Sequence, residues 1–416
     1  MSLTVRILVA LVLGLTGGIA LAEWGRGWDV PLLAVAQPVG KAWLNGLQMP
    51  LIPLIFALLV TGIAQAATTA RTNGMAGRAI ALFAILLVAS STVAALVGPL
   101  LLHLWPVPAG AVGMLAGAEG AAEVPGVRPS ADWLLGFIPA NPIKAAAEGE
   151  VVAVVLFALI FGFAVTRITD ARRAQLTGLF DALTDALLVV VQWVLWLAPI
   201  GVFALALVAG ARSGLATAGA LLHYISFIVL ICLTVTLLVY PLVALLGRIA
   251  PGRFARAAFP AQAIAFSTQS SIASLPAMIQ ASDGPLNVRP TTRSIVLPLA
   301  ISLFRITSPP ANLGVALYVA AMNGVALGPV QLAMGVAVAA IVSLAAVGLP
   351  SQVSFFTTTG PICLAMGVPV EALPLLLAVE TVPDIFRTVG NVTADMAVTR
   401  IIDQNGLTAP GAPSGS

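Results

Sequence analysis

The sequence predicts an all-α polytopic membrane protein with eight transmembrane helices plus two re-entrant helical hairpins. Three observations carry that expectation. Apolar residues make up 60% of the 416 and charged residues only 8%, against roughly a quarter charged in soluble domains; the mean hydropathy is +1.06. The apolar residues gather into long segments without two-residue alternation, several of them matching the roughly 20 residues that cross a bilayer. Two further apolar segments are interrupted near their middles by polar residues, Gly or Pro.

Taken in order, the spans fall near 4–23, 45–67, 76–104, 150–167, 180–209, 216–246, 294–322 and 371–400. The first has Arg6 ahead of an apolar run and ends in small residues, as a secretory signal peptide does. With so many spans after it, a retained helix is the expectation. The interrupted segments are 258–281, broken at Ser267-Thr268-Gln269-Ser270-Ser271, and 331–367, broken at Gly348-Leu349-Pro350-Ser351-Gln352. Each half is too short to cross, so each pair reads as a hairpin that enters and returns on one side; two kinked ordinary spans are the competing reading. Irregular backbone at membrane depth is tolerated only against protein or a watery cavity, and paired interrupted segments point to a transporter's binding site.

Loop charge sets orientation. Twelve arginines, among them Arg6, Arg71, Arg172, Arg289 and Arg400, fall on one side of these spans; Arg26, Lys41, Arg128, Lys144 and Arg212 fall on the other. Both termini are therefore expected in the cytoplasm, the chain in the cell (inner) membrane, the loop 105–149 outside, and 405–416 as a disordered tail. The net charge of +3 comes with no basic block, so no nucleic-acid partner is expected. Cys232 and Cys363 form no CxxC, His103 and His223 sit in no metal-ligand spacing, and no GxxxxGK[ST] loop occurs. Neither His lies in a motif near the serine-rich break, so nothing supports a hydrolase. The chain reads as no enzyme, without a cofactor beyond sodium as a coupling ion.

Five ionisable residues lie inside apolar helices: Arg305, Glu380, Asp384, Arg387 and Asp395. One such group at the bilayer centre costs roughly 2.5–3.5 kcal/mol on insertion scales, so several together need partners or water. Glu380, Asp384, Arg387, Asn391 and Asp395 are spaced 4, 3, 4 and 4 apart, which places all five on one helix face and Asp384 within reach of Arg387. Two readings stand. One is a buried ion pair that orients helix packing. The other is a ligand site, with Arg387 offering a planar fork to a carboxylate, Asp384 receiving a substrate cation, and Asn391 and Asp395 supplying oxygens to a small metal ion.

The stretch Asp384-Ile385-Phe386-Arg387-Thr388, with Asn391 and Asp395 after it, resembles the last-helix motif of the dicarboxylate/amino acid:cation symporters, the glutamate transporter family. Phe137-Ile138-Pro139-Ala140-Asn141-Pro142 resembles the segment before that family's fourth span. Leu197-Ala198-Pro199-Ile200-Gly201 resembles its fifth-span motif, and Ser267 to Pro276 its serine-rich first hairpin. The resemblance implies the inverted-repeat glutamate-transporter fold, a homotrimer and an elevator-like mechanism. Residues 1–75 and 150–215 would form the scaffold. Residues 76–104 and 216–404 would form the mobile unit that carries a small anion across, with 105–149 as the external loop.

Position by position, the resemblance implies that Arg387 holds the substrate's distal carboxylate and Asp384 its amino group, with Thr388 and Asn391 adding hydrogen bonds. Ser270, Ser271 and Ser308 would line the pocket, and Leu349, Ser351 and Val353 would close above it. Asp395 and Asn391 match a sodium site, and Ser90 and Ser91 the region of another. The function implied is symport of an acidic amino acid or related dicarboxylate with Na+ or H+. The alternatives are a proton-coupled C4-dicarboxylate transporter without sodium dependence and, more remotely, an anion channel.

The seventh span departs from the family. Its expected acid is missing: counted from Leu297-Pro298-Leu299, the slot holds Phe304-Arg305-Ile306-Thr307-Ser308, and an alternative register at Asn312-Leu313-Gly314 also lacks one. Pro309-Pro310 supports a helix break here. A guanidinium beside a sodium site disfavours occupancy by on the order of several kcal/mol at an effective dielectric near 20. Arg305 is thus expected to stand in for a bound cation; the competing reading pairs Arg305 with Glu380 as a structural clasp.

Overall fold

Prolines and short polar runs cut the apolar segments of this chain into helices. The computed structural model describes residues 3–24, 29–72, 74–108, 138–213, 215–345 and 351–407, which hold seventeen helices and no strand. The first four are α1 (Leu3–Trp24), α2 (Asp29–Gln48), α3 (Leu51–Thr72) and α4 (Gly74–Leu104). Next come α5 (Pro142–Ala147), α6 (Val151–Val165), α7 (Asp170–Trp196), α8 (Ala198–Ser213) and α9 (Leu215–Leu246). Two packed pairs follow, with a broken span between them: α10 (Pro251–Thr268) on α11 (Ser271–Asp283), then α12 (Pro290–Leu303) and α13 (Ser308–Met322), then α14 (Pro329–Ala345) on α15 (Ser351–Ala365). The described chain ends in α16 (Leu373–Leu377) and α17 (Thr381–Leu407).

Three expected spans are divided. The segment 45–67 belongs to two helices, α2 and α3, parted at Met49-Pro50, because proline lacks an N–H and disfavours helical geometry in the residue before it. Gln37, Pro38, Lys41 and Asn45 interrupt the apolar run of α2 and hid it from the hydropathy pattern. The segment 180–209 breaks at Leu197, with Pro199 in the first turn of α8. The segment 371–400 becomes α16 and α17, with Pro383 in the first turn of the latter.

Six helical stretches among the described residues are long and apolar enough to cross a membrane: Val5–Trp24, Val30–Thr69, Gly74–Leu104, Asp170–Trp196, Thr217–Leu246 and Pro290–Met322. The chain is a multi-pass membrane protein. Lipid-compatible surface lies on these helices, for example Leu222, Leu237 and Leu245 of α9 and Val12 and Leu13 of α1, all exposed. α1 runs against α8 at very short range: a methyl on Gly18 would overlap the Leu207 carbonyl, and small residues permit such approach between membrane helices. α17 is the opposite case. Its polar residues are wrapped by α4, α9, α10, α11, α12 and α13, and from Gly390 to Thr399 every residue is buried.

Candidate functional site

Glu380 precedes α17 by one position and is only 3% exposed. It accepts a hydrogen bond from the Tyr224 hydroxyl of α9 at 2.6 Å and one from Arg387 Nη2 at 2.5 Å. Arg387 Nη1 reaches Asp384 Oδ1 at 3.3 Å, as the three-residue spacing implies. Both carboxylate oxygens of Glu380 are thereby satisfied, the condition under which a buried ion pair is tolerated. Arg387, 7% exposed, does not use all its donors: its Nε has no hydrogen-bond partner among the described residues. Thr388 donates to the Asp384 carbonyl at 2.8 Å, leaving its hydroxyl lone pairs to accept. Glu380 is thus joined to Arg387 and Tyr224, and Arg305 forms no salt bridge with it.

The broken span is clamped onto the same helix. α12 stops at Leu303 and α13 starts at Ser308, so the break occupies Phe304–Thr307, the first of the two registers read from the sequence. Phe304 is extended and buried, its ring stacked on Phe83 of α4 with centroids 4.7 Å apart. Thr307 is fixed on α17: its N–H donates to Asn391 Oδ1 at 3.0 Å, and its hydroxyl lies 2.6 Å from that oxygen and 2.7 Å from the Arg387 carbonyl. One hydroxyl proton serves one acceptor at a time. The Asn391 side-chain oxygen therefore faces Thr307. Arg305, between these two pins, is partly exposed and close enough for its charge to act on Asp384, Arg387 and Asp395.

At the first hairpin, Gln269 takes a left-handed conformation (φ 54°) and Ser270 caps α11 by accepting from the Ala273 N–H at 3.2 Å. Serine at an N-cap satisfies one of the orphan donors of a helix start. Ser271 is the first residue of α11. The tip reaches α17 through Phe266, whose ring meets that of Phe386 edge-on at 6.3 Å. The second hairpin is joined to α13 by Asn312 Nδ2, which donates to Thr358 Oγ1 at 2.8 Å. Leu349 lies outside the described residues, and of Ser351 and Val353 only the helical backbone is described. Ser308 is buried at the start of α13.

The residues read as ion ligands do not all converge. Asp395 is 1% exposed, and neither carboxylate oxygen has a hydrogen-bond partner among the described residues. Ser90 and Ser91 are buried on α4, which touches α17, but their hydroxyls donate back to the Leu87 carbonyl at 3.0 and 2.8 Å. No group of three or more His, Cys, Asp or Glu that could hold a metal occurs among the described residues. Two contributors escaped the sequence reading. Tyr224 is one of two tyrosines in an apolar span, and Thr307 lay in the motif slot without a role; a polar side chain within an apolar segment was the available signal.

Against this geometry, the chain's similarity to known proteins is informative. The sequence profile described as the sodium:dicarboxylate symporter family matches residues 3–405. The chain belongs to that family. Among its relatives, a C4-dicarboxylate transport protein of Deinococcus radiodurans is 28% identical over 284 residues, covering 67% of this chain and 61% of the relative. The proton/glutamate-aspartate symporter of Escherichia coli is 25% identical over 287 residues, 67% of this chain and 65% of the relative. A C4-dicarboxylate transport protein of Paraburkholderia xenovorans is 30% identical over 208 residues, 48% and 45% of the two chains. In each case the similarity spans less than two thirds of the relative's length.

Proposed function

We propose that this symporter-family chain is a secondary transporter, not an enzyme, that carries a small anion with two carboxylates across the membrane. One observation bears most of the weight. A buried guanidinium, Arg387, has its Nε unpartnered among the described residues, on the helix to which Thr307 of the broken span is pinned and which Phe266 of the first hairpin meets through Phe386. A partly engaged guanidinium accepts a carboxylate by exchanging one charge-assisted contact for another. Membership of a family described by sodium:dicarboxylate symport, and relatives named for C4-dicarboxylate and for glutamate-aspartate, support the substrate class.

Between those substrates, Asp384 divides the readings. As a receptor for an ammonium group it favours an acidic amino acid; its existing contact with Arg387 at 3.3 Å favours a plain C4-dicarboxylate, since the acid already has a cation. Isothermal titration of purified protein with aspartate, glutamate, succinate and malate separates them. The expected result is binding of at least one, abolished in Arg387→Ala without loss of a monodisperse protein; an Arg387→Ala variant that binds like the parent overturns the site. Succinate binding with neither amino acid bound removes the ammonium role of Asp384.

The remaining features follow from loop charge, for the orientation, and from the resemblance, for the assembly and the movement. Both termini are cytoplasmic in an inner membrane, the chain assembles as a homotrimer, and α4 with 216–404 moves as the substrate-carrying unit against 1–75 and 150–215. Support for the last point is the packing of α17 within α4 and α9–α13, apart from the α1–α8 and α2–α8 contacts. Light scattering of the detergent-solubilised protein, corrected for bound detergent, tests the trimer.

A further inference from the structure

From Glu380 to Asp395, three carboxylates and one guanidinium are buried on or beside α17, with Arg305 of the broken span near them. Glu380 and Arg387 satisfy one another with help from Tyr224, and Asp384 touches Arg387. Asp395 is left over: it is 1% exposed, and neither oxygen is hydrogen-bonded among the described residues. A carboxyl so placed is either held neutral or matched by a nearby cation, because burying the charge without a partner is far costlier than burying it in a pair. Arg305 is the other charge without a salt bridge in this interior, among the described residues. Its field reaches both Asp384 and Asp395.

The backbone on either side of Arg305 is pinned at the level of α17. Phe304 is pinned on Phe83 and Thr307 on Asn391, one helical turn from Asp395. A mobile sodium ion and a tethered guanidinium answer the same electrostatic need, and like charges at one site exclude each other.

We propose that Arg305 is a built-in counter-cation for Asp395, occupying the role that a coupling sodium ion would otherwise take, so that this chain binds its substrate without sodium. The inference rests on the carrier reading above. Its test is separable from that reading because the ion site is read without substrate.

Thermal unfolding of the ligand-free detergent-solubilised protein is compared in sodium chloride and in choline chloride of equal ionic strength. The parent is expected to melt at the same temperature in both. Arg305→Met is expected to gain roughly 3 °C or more in sodium, the signature of an ion bound to the folded state. The double variant Arg305→Met, Asp395→Asn is expected to lose that gain. A parent stabilised by sodium overturns the proposal, and that comparison needs no variant to fold. An Arg305→Met variant with equal melting in both salts also overturns it, as does a sodium response that survives Asp395→Asn. Substrate titration in the two salts then reads coupling, with less than about a twofold change expected for the parent and about tenfold or more for Arg305→Met. Absence of any ligand binding in either salt counts against the carrier reading alone.

Discussion

Glu380 is held by two donors, and the two are not equivalent. Tyr224→Phe removes a hydrogen bond to a charged group, a loss of about 1.5–3 kcal/mol, and leaves the pair with Arg387 intact. Glu380→Gln removes the charge itself and leaves Arg387 buried with Asp384 alone, a loss of about 3–5 kcal/mol. Melting temperatures should therefore fall in the order parent, Tyr224→Phe, Glu380→Gln; an inverted order would show that Tyr224, not the ion pair, anchors this corner. The residue scale is also where the sequence was partly legible. Spacing along one helix foretold the Asp384–Arg387 contact, because both partners lie within a turn. It was silent on Tyr224, which is 156 positions from Glu380, and on Thr307, 84 from Asn391, because a contact made by folding across the chain leaves no local period.

At the scale of elements, the clamp between the broken span and α17 depends on what α17 lacks. A methyl on Gly390 would overlap Thr236 Oγ1 and the Thr307 methyl. Neither neighbour yields easily, since Thr236 donates to the Cys232 carbonyl at 2.7 Å and Thr307 is fixed on Asn391 and Arg387. Gly390→Ala should therefore push α12–α13 off α17, lowering stability by about 1–3 kcal/mol as overpacking does and weakening substrate binding with it; a variant with parental melting and affinity would show that the break moves freely. The first hairpin tip offers the reverse change. Gln269 holds a left-handed backbone that glycine adopts without steric penalty, so Gln269→Gly should raise the melting temperature and Gln269→Val lower it. The hairpin break itself was visible as a run of Ser, Thr and Gln. The unwinding of Phe304–Thr307 was visible only as Pro309-Pro310, which marks a break without choosing its register.

The whole molecule inverts the polarity of a soluble protein: apolar helices such as α1 and α9 face outward, and the polar α17 is enclosed. Hydropathy reads the outward helices well and the enclosed one poorly, so the charged residues of α17 were informative where its apolarity was not. Loop arginines were read for orientation alone, yet Arg289 donates to Asp403 at 2.8 Å, with Thr292 adding a hydrogen bond at 2.7 Å, fastening the start of α12 to the end of α17.

The proposed movement of the enclosed unit has a contact that can report on it. Gly360 of α15 lies against Leu51 of α3, where an added Cβ would stand 3.1 and 3.3 Å from the two Leu51 methyls. Those methyls end a flexible side chain, so a larger residue at 360 is accommodated in one position of the unit, and under the proposed elevator movement it obstructs a face that slides past α3. Gly360→Leu lies outside the Arg387 cluster and should leave substrate affinity unchanged while slowing uptake into proteoliposomes several-fold or more, a loss in turnover rather than in binding. Equal loss of affinity and uptake would place the defect in folding or in the site. Unchanged uptake would mean that α15 and α3 do not move past each other, and the elevator scheme would lose this interface.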